Sequence, residues 1–210
     1  QSRGRGRLGR RWASAARKGL WFSVLLRPRL QPQAVTQITV MTAVAVARAV
    51  RGMTGLSVEI KWPNDHLVAG RKVAGILTEL TAELDRVRYV VVGIGLDVNQ
   101  TSTEFPAEVR GVAASLRMVA GRTLERAELA AAVLRELDED YARLAAGGFA
   151  ALADEWASAC TTLGREVTVQ VGDRRWQGRA EALDSEGALL LRTEHGRLER
   201  LTGGDVTVAR

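Results

Sequence analysis

Three patterns of apolar residues divide this chain. Leu20 to Leu26 (LWFSVLL) is a compact apolar block closed by Arg27-Pro28, which predicts a buried strand. Between Pro32 and Arg51, residues Val35, Ile38, Met41, Thr42, Ala45 and Val46 recur at helical spacing, and Gly52 and Gly55 end the run. Ser57 to Trp62 alternates as a strand does and runs into a turn at Pro63-Asn64-Asp65. Lys72 to Thr81 and Arg88 to Ile94 predict two further strands. The turn between them, near Glu83 to Asp85, is too short for a crossover helix, so they pair antiparallel. A long helix is predicted over Thr123 to Ala146 from the stripe Leu124, Leu129, Val133, Leu137, Tyr141 and Leu144, with Gly147-Gly148 stopping it. A second helix follows over Phe149 to Ala159.

After Gly164 the pattern turns to short strands: Val167–Val171, Arg174–Leu183, Ala188–Arg192, Arg197–Leu201 and Val206–Val208, separated by glycine-bearing turns. Five strands in so short a stretch predict a small SH3-like β-barrel. The expected fold is therefore α+β: a mixed, mostly antiparallel sheet backed by helices over residues 1–164, then the barrel over 165–210.

Composition adds exclusions. With 210 residues, 46% hydrophobic and 26% charged, the chain can bury a core and is neither a disordered tail nor a fibre. No uncharged apolar run approaches the ~20 residues of a spanning helix, so no membrane partner is expected. One cysteine, Cys160, excludes an internal disulfide, and with only His66 and His195 beside it a structural zinc site is excluded too. No signal segment is visible and the expected compartment is the cytoplasm. The chain opens on Gln1 directly in a functional-looking loop, so residues are expected upstream of it.

Charge is unevenly placed. Residues 1–58 hold eleven basic residues and no acidic one, whereas the rest is net acidic, which predicts a local anion site. Of thirty basic residues only Lys18, Lys61 and Lys72 are lysine, so two of the three lysines bracket the KWPND turn. In such an arginine-rich chain a surviving lysine marks a place where a compact ammonium is needed.

Three stretches carry candidate chemistry. In Gly4-Arg5-Gly6-Arg7-Leu8-Gly9-Arg10-Arg11-Trp12, glycines let backbone approach a ligand, arginines offer forks to phosphate or carboxylate, and Trp12 offers a flat face. This is not a P-loop, and the embedded GxGxxG lacks a preceding strand; an RNA-binding RG-rich segment is the plain alternative. In Lys61-Trp62-Pro63-Asn64-Asp65 and the following Arg71-Lys72-Val73-Ala74-Gly75, two ammonium groups and a carboxylate converge, which suits a polyphosphate with magnesium, unless this is an ordinary surface turn. In Gly93-Ile94-Gly95-Leu96-Asp97-Val98-Asn99, alternate glycines let a flat ligand lie on a strand, unless they mark a bulge.

Together GRGRLGRRW, KWPND, RKVAGILTEL and VVGIGLDVNQ, in that order, resemble the biotin protein ligases over essentially the whole chain. The resemblance implies activation of biotin by ATP to biotinyl-5′-AMP, then transfer to a lysine of a biotin carboxyl carrier protein. It implies that Lys72, Arg7 and Lys61 are catalytic. Gln1, Gly4, Arg5, Gly6, Arg7, Lys72, Gly75 and Gly93 would bind biotin. Arg10, Trp12, Lys61, Asn64, Asp65 and Asp97 would bind ATP, and Asp65 would hold Mg2+. No nucleophilic side chain is required. Some family members carry a DNA-binding winged helix; nothing in this chain resembles it. A homodimer is compatible with the pattern. Asp97 departs from it, since the family has Asn in a GINVN-like motif; an ionised Asp accepts hydrogen bonds but cannot donate. Either a proton on Asp97, an arginine partner, or Asn99 in a shifted register would compensate. The alternatives are a lipoate-type ligase of the same fold and a non-catalytic arginine-rich nucleic-acid-binding module.

Overall fold

The computed structural model describes residues 1–208. It contains two five-stranded sheets and four α-helices. The first sheet is built from β1 (Leu20–Leu26), β2 (Glu59–Lys61), β3 (Asp65–Val68), β4 (Arg71–Ala82) and β5 (Val87–Leu96). Their order is β1-β5-β4-β3-β2, and every strand pair is antiparallel. The expected mixed character is reduced to two isolated parallel bridges, Ile60 with Cys160 and Lys72 with Ala113. The predicted turn at Pro63-Asn64 is present and leads into β3, a strand the sequence reading did not assign.

One face of this sheet carries Ile60, Ala74, Ile76, Val92 and Ile94, all buried, and packs on α1 (Thr36–Thr54). From Thr39 to Ala47 this helix carries only threonine, valine, alanine and Met41, so it packs closely on both sides. Together with the preceding turn it is long and apolar enough to cross a membrane by composition, which the run-length expectation overlooked. Its most apolar window is 78% buried within the protein, as a core helix is. Behind it pack α3 (Arg126–Ala145) and α4 (Phe149–Ala159), while the short α2 (Leu116–Ala120) is bonded at its start to the carbonyls of Asp97 and Val98 after β5. Arg48 of α1 ties the three long helices together, bonding Glu136 at 2.7 Å, the fully buried Asp140 at 3.2 Å and Glu155 at 2.5 Å.

The second sheet contains β6 (Glu166–Val171), β7 (Arg174–Leu183), β8 (Leu189–Thr193), β9 (Leu198–Leu201) and β10 (Asp205–Val208), in the order β10-β6-β7-β8-β9 and antiparallel throughout. Val167, Val169, Ala180, Leu189 and Leu191 form its buried face. Its β7–β8 turn reaches the start of α1, where Thr36 Oγ1 donates to Glu186 O at 2.7 Å.

Candidate functional site

The other face of the first sheet is the floor of a cleft of about 1590 Å³. Strand alternation puts Trp21, Ser23, Gly75, Leu77, Glu79, Gly93 and Gly95 on it. Gly75 and Gly95 are direct partners across the β4–β5 ladder. The Trp12 ring lies on both: a Cβ on Gly75 would fall 2.9 Å from it, and one on Gly95 2.7 Å. Those glycines are required because a flat group rests on bare backbone there. Gly93 also lines the cleft, but its open side faces Ser23 and Leu77, not Trp12.

Lys72 reaches this floor through a bulge. Opposite β3 the register passes from His66–Ala74 to Leu67–Lys72, leaving Val73 as the extra residue. A bulge reverses the alternation beyond it, so Lys72 shares the face of Gly75. The Lys72 backbone is held on its far side by Val112 O and Ala114 N, each at 2.8 Å. Its ammonium lies 2.6 Å from Asp65 Oδ1 and 5.3 Å from the centre of the Trp12 ring. Lys61 is Asp65's partner across the β2–β3 hairpin and lines the same cleft.

The glycine-arginine loop closes over this floor. Arg5 and Arg11 form a bridge around a 3-10 turn at Arg7–Gly9. Arg7 donates to Asn64 Oδ1 at 2.8 Å and to Gly204 O at 3.2 Å. Arg10 pairs with Asp205 and Arg5 with Glu79. Burial lowers the Arg7 guanidinium from its ordinary value, opposed by the nearby carboxylates of Asp205 and Asp65. The cleft thus contains a cluster of cations whose present counter-charges are the chain's own carboxylates, which an anionic ligand can replace.

The cleft gathers Gln1, Arg5, Gly6, Arg7, Arg10, Trp12, Lys61, Asn64, Asp65, Lys72, Gly75, Gly93 and Asp97. Gly4, read as a biotin contact, does not line it; a Cβ there would sit 2.6 Å from Trp12 O, so this glycine serves the loop's own folding. Asn64 is spent holding the loop, since Nδ2 donates to Ile76 O at 2.7 Å while Oδ1 receives Arg7. Asn99 cannot replace Asp97. Its amide clasps the Leu124 backbone, donating at 2.8 Å and accepting at 3.0 Å. Asp97 itself is buried, and burial pushes its carboxyl up to about 7 against the opposing effects of Gln100 and Lys72. Of the three compensations weighed for Asp97, burial therefore favours the proton.

Asp65, read as a magnesium ligand, is paired with lysine in this structure. Its Oδ1 is held by Lys72, and among the described residues no three His, Cys, Asp or Glu side chains gather as ligands. Cys160 lies outside the cleft, half-buried, with its thiol pushed up by burial.

Sequence reasoning missed the segment Glu104 to Val109 and Gly204 to Thr207 from the second sheet. Neither carried a local signal, whereas Gly95 was read from the alternation of glycine with large apolar residues.

Residues 1–99 match the model of the biotin/lipoate A/B protein ligase family, and residues 162–208 match the biotin protein ligase C-terminal domain. The bifunctional ligase/repressor BirA of Bacillus subtilis is 37% identical over 206 residues, covering 98% of this chain and 63% of that protein. The chain thus spans less than two thirds of that relative's length. The biotin–[acetyl-CoA-carboxylase] ligase of Mycobacterium tuberculosis is 34% identical over 98% of this chain and 75% of its own. Among solved structures, the biotin protein ligase of Aquifex aeolicus in complex with biotin and ATP is 31% identical, covers 100% of this chain and 86% of that one, and superposes with a TM-score of 0.84.

Proposed function

This chain belongs to the biotin protein ligase family, and from that premise we propose that it activates biotin with ATP and passes the acyl group to a lysine of a biotin carboxyl carrier protein. The observation that carries the reading is the Trp12 ring lying on the Gly75–Gly95 pair with the Lys72 ammonium beside it. That arrangement is a slot for flat groups with a cation at its edge.

In the first step the biotin carboxylate attacks the α-phosphorus of ATP, and pyrophosphate leaves. Two anions must meet, and Lys72, Lys61, Arg5, Arg7 and Arg10 offset their repulsion. Fixed charges aimed at the growing charge on the α-phosphoryl oxygens are commonly the largest catalytic contribution, and holding both reactants in line adds to it. Lys72 would leave Asp65 for the anions; Arg10 would leave Asp205 for phosphate. Trp12 would separate biotin from adenine, with Gln1, Gly6, Gly75 and Gly93 lining the biotin side. In the second step the carrier amine attacks the acyl carbon and AMP leaves.

Magnesium would arrive with the triphosphate, held by phosphate oxygens and several waters, with Asp65 as the carboxylate nearest the lysines; no step here depends on a protein-held metal. Residues 1–164 would perform this chemistry and 165–210 would form a second domain bordering it. The reading places the protein in the cytoplasm; a homodimer is compatible with it and enters no step.

The test offers the protein biotin, ATP and a carrier domain, with lipoate as the competing acid. Biotin-dependent pyrophosphate release and labelling of the carrier are expected. Release with lipoate alone would move the assignment to the lipoate ligases, and no release with either acid would end it.

A further inference from the structure

Of the cations that offset the meeting of carboxylate and triphosphate, all but Lys61 are anchored by their own side chains. Lys72 rests on Asp65, Arg7 on Asn64 and Gly204, Arg10 on Asp205 and Arg5 on Glu79. Lys61 lines the same cleft but has no ion pair or side-chain hydrogen bond among the described residues. Where its ammonium points is therefore set by its backbone.

The strand that carries it is weak by itself. β2 is three residues long and lies at the edge of the first sheet. Short edge strands need a cover on their open side. β3 holds β2 on one side, with Lys61 opposite Asp65. Pro63 has no N–H, so the Trp62 amide is the last backbone donor before the turn.

The open side is covered by the segment that leads from α4 into the second sheet. Cys160 forms a parallel bridge with Ile60, and Thr161 N–H donates to Ile60 O at 2.9 Å. The Trp62 N–H donates to Thr162 Oγ1 at 3.0 Å, across 100 positions of sequence. The Thr161 bond is made by backbone and survives any substitution. The Trp62 bond depends on the Thr162 hydroxyl alone. Thr162 is fully buried, so loss of that oxygen leaves a buried N–H without an acceptor. Thr162 is itself well seated: its carbonyl accepts from Arg165 N at 3.3 Å, and Gly164 N–H donates to Ala180 O of β7 at 2.7 Å.

The far arm of the turn has its own supports. Asn64 is bonded to Ile76 through backbone and side chain, and Asp65 pairs with Gly75. Loss of the Thr162 hydroxyl therefore acts on Lys61 and Trp62 and spares Asn64, Asp65 and Lys72.

We propose that Thr162 is a positioning residue for the nucleotide: by fixing the Trp62 amide it holds the strand end from which Lys61 reaches the phosphates. The proposal rests on the ligase reading, which assigns Lys61 to the triphosphate. It makes the junction between the two sheets part of the nucleotide site, although Thr162 lies outside the cleft.

The experiment titrates ATP and biotin separately into the full chain, as wild type and as Thr162→Val, Thr162→Ser and Lys61→Ala, with each Thr162 variant also combined with Lys61→Ala. Valine keeps the shape of threonine and removes the acceptor. Thr162→Val should weaken ATP about tenfold, the scale of one contact to a charged group, and biotin by less than about twofold. Thr162→Ser keeps the oxygen on a freer side chain and should weaken ATP about threefold; it carries the test by itself if the valine variant does not fold. With Lys61→Ala already present, neither Thr162 variant should weaken ATP further, since nothing is left to position. In either variant, a loss of ATP affinity that persists with Lys61→Ala is what a merely structural threonine gives, and it overturns the proposal. No loss at all in a folded Thr162→Val overturns it too. Biotin-dependent pyrophosphate release by the wild type, measured alongside, separates the two levels. Release together with additive losses ends the positioning role alone, whereas a wild type that binds no ATP ends the ligase reading with it.

Discussion

Lys72 Nζ sits 2.6 Å from Asp65 Oδ1, so the chain's central ammonium is parked on a carboxylate of the neighbouring strand while also lying over the Trp12 ring. The pair is about a third exposed on the lysine side, which makes it exchangeable and of little weight for stability. Lys72→Ala should therefore leave the thermal melt almost unchanged and lower biotin-dependent pyrophosphate release by orders of magnitude, as expected of a charge acting on the transition state. Lys72→Arg should remain poor, since a planar fork does not replace a compact ammonium beside Trp12. Normal release by Lys72→Ala would remove this residue from the chemistry.

The glycine pair gives a contrast between two substitutions of the same kind. Gly95→Ala puts a methyl 2.7 Å from the Trp12 ring and should drive that ring off the floor. Biotin and ATP binding, followed by calorimetric titration, should each weaken at least tenfold. Gly52→Ala meets nothing within 4 Å and lies near the end of α1. It should leave binding alone and raise stability by about 0.5–1 kcal/mol, the usual cost of a helical glycine.

The arginine loop is held by the second sheet through Gly204 and Asp205. Asp205→Ala removes the Arg10 counter-charge, so trypsin should nick residues 3–11 faster than in the wild type when no nucleotide is present. Saturating ATP should slow cleavage in both proteins. Equal rates without nucleotide would mean that Asp205 does not restrain the loop.

Arg48 is the ionic tie of the helical layer. Arg48→Met leaves the fully buried Asp140 with Arg143 alone and Asp140 Oδ2 still without a partner. Breaking a buried pair from one side commonly costs ~3–5 kcal/mol; because Arg48 is partly exposed and Arg143 remains, a loss of about 3 kcal/mol is expected from the urea midpoint.

Asp97 should also be legible in stability. Its carboxyl is raised in the folded chain, so the unfolded chain gives up the proton more readily. The neutral group's contribution is whole below about pH 4 and is lost as pH rises through about 7. Asp97→Asn should match the wild type near pH 4 and exceed it at pH 8 by on the order of 3 kcal/mol. Urea unfolding at the two pH values checks this; a constant difference would place the ionisation elsewhere.

Elements whose burial is periodic were readable in advance. β1, β7 and α4 coincide in their bounds with the segments that predict them; β1 is nevertheless an edge strand with no fully buried residue, not the buried strand its apolar block suggests. β3 was hidden, since its four residues DHLV include an acidic residue and a histidine. His66 is fully buried there only because its ring bonds Ala43 O of α1 at 2.9 Å, a partner no local pattern reveals. The cleft's own strands and glycine loop were legible because close backbone approach demands glycine. Asp205 was not, since an aspartate opening an edge strand reads as surface until the fold brings Arg10 to it.

Arg7 and Arg10 meet Gly204 and Asp205 across 197 and 195 positions of sequence. On the ribosome these arginines emerge early and wait for β10, so a partly synthesised chain carries an untethered, strongly cationic arm. Folding of the first sheet alone supplies the Arg7–Asn64 and Arg5–Glu79 contacts but leaves Arg10 without its carboxylate. The loop acquires its full set of counter-charges only once the second sheet has been translated.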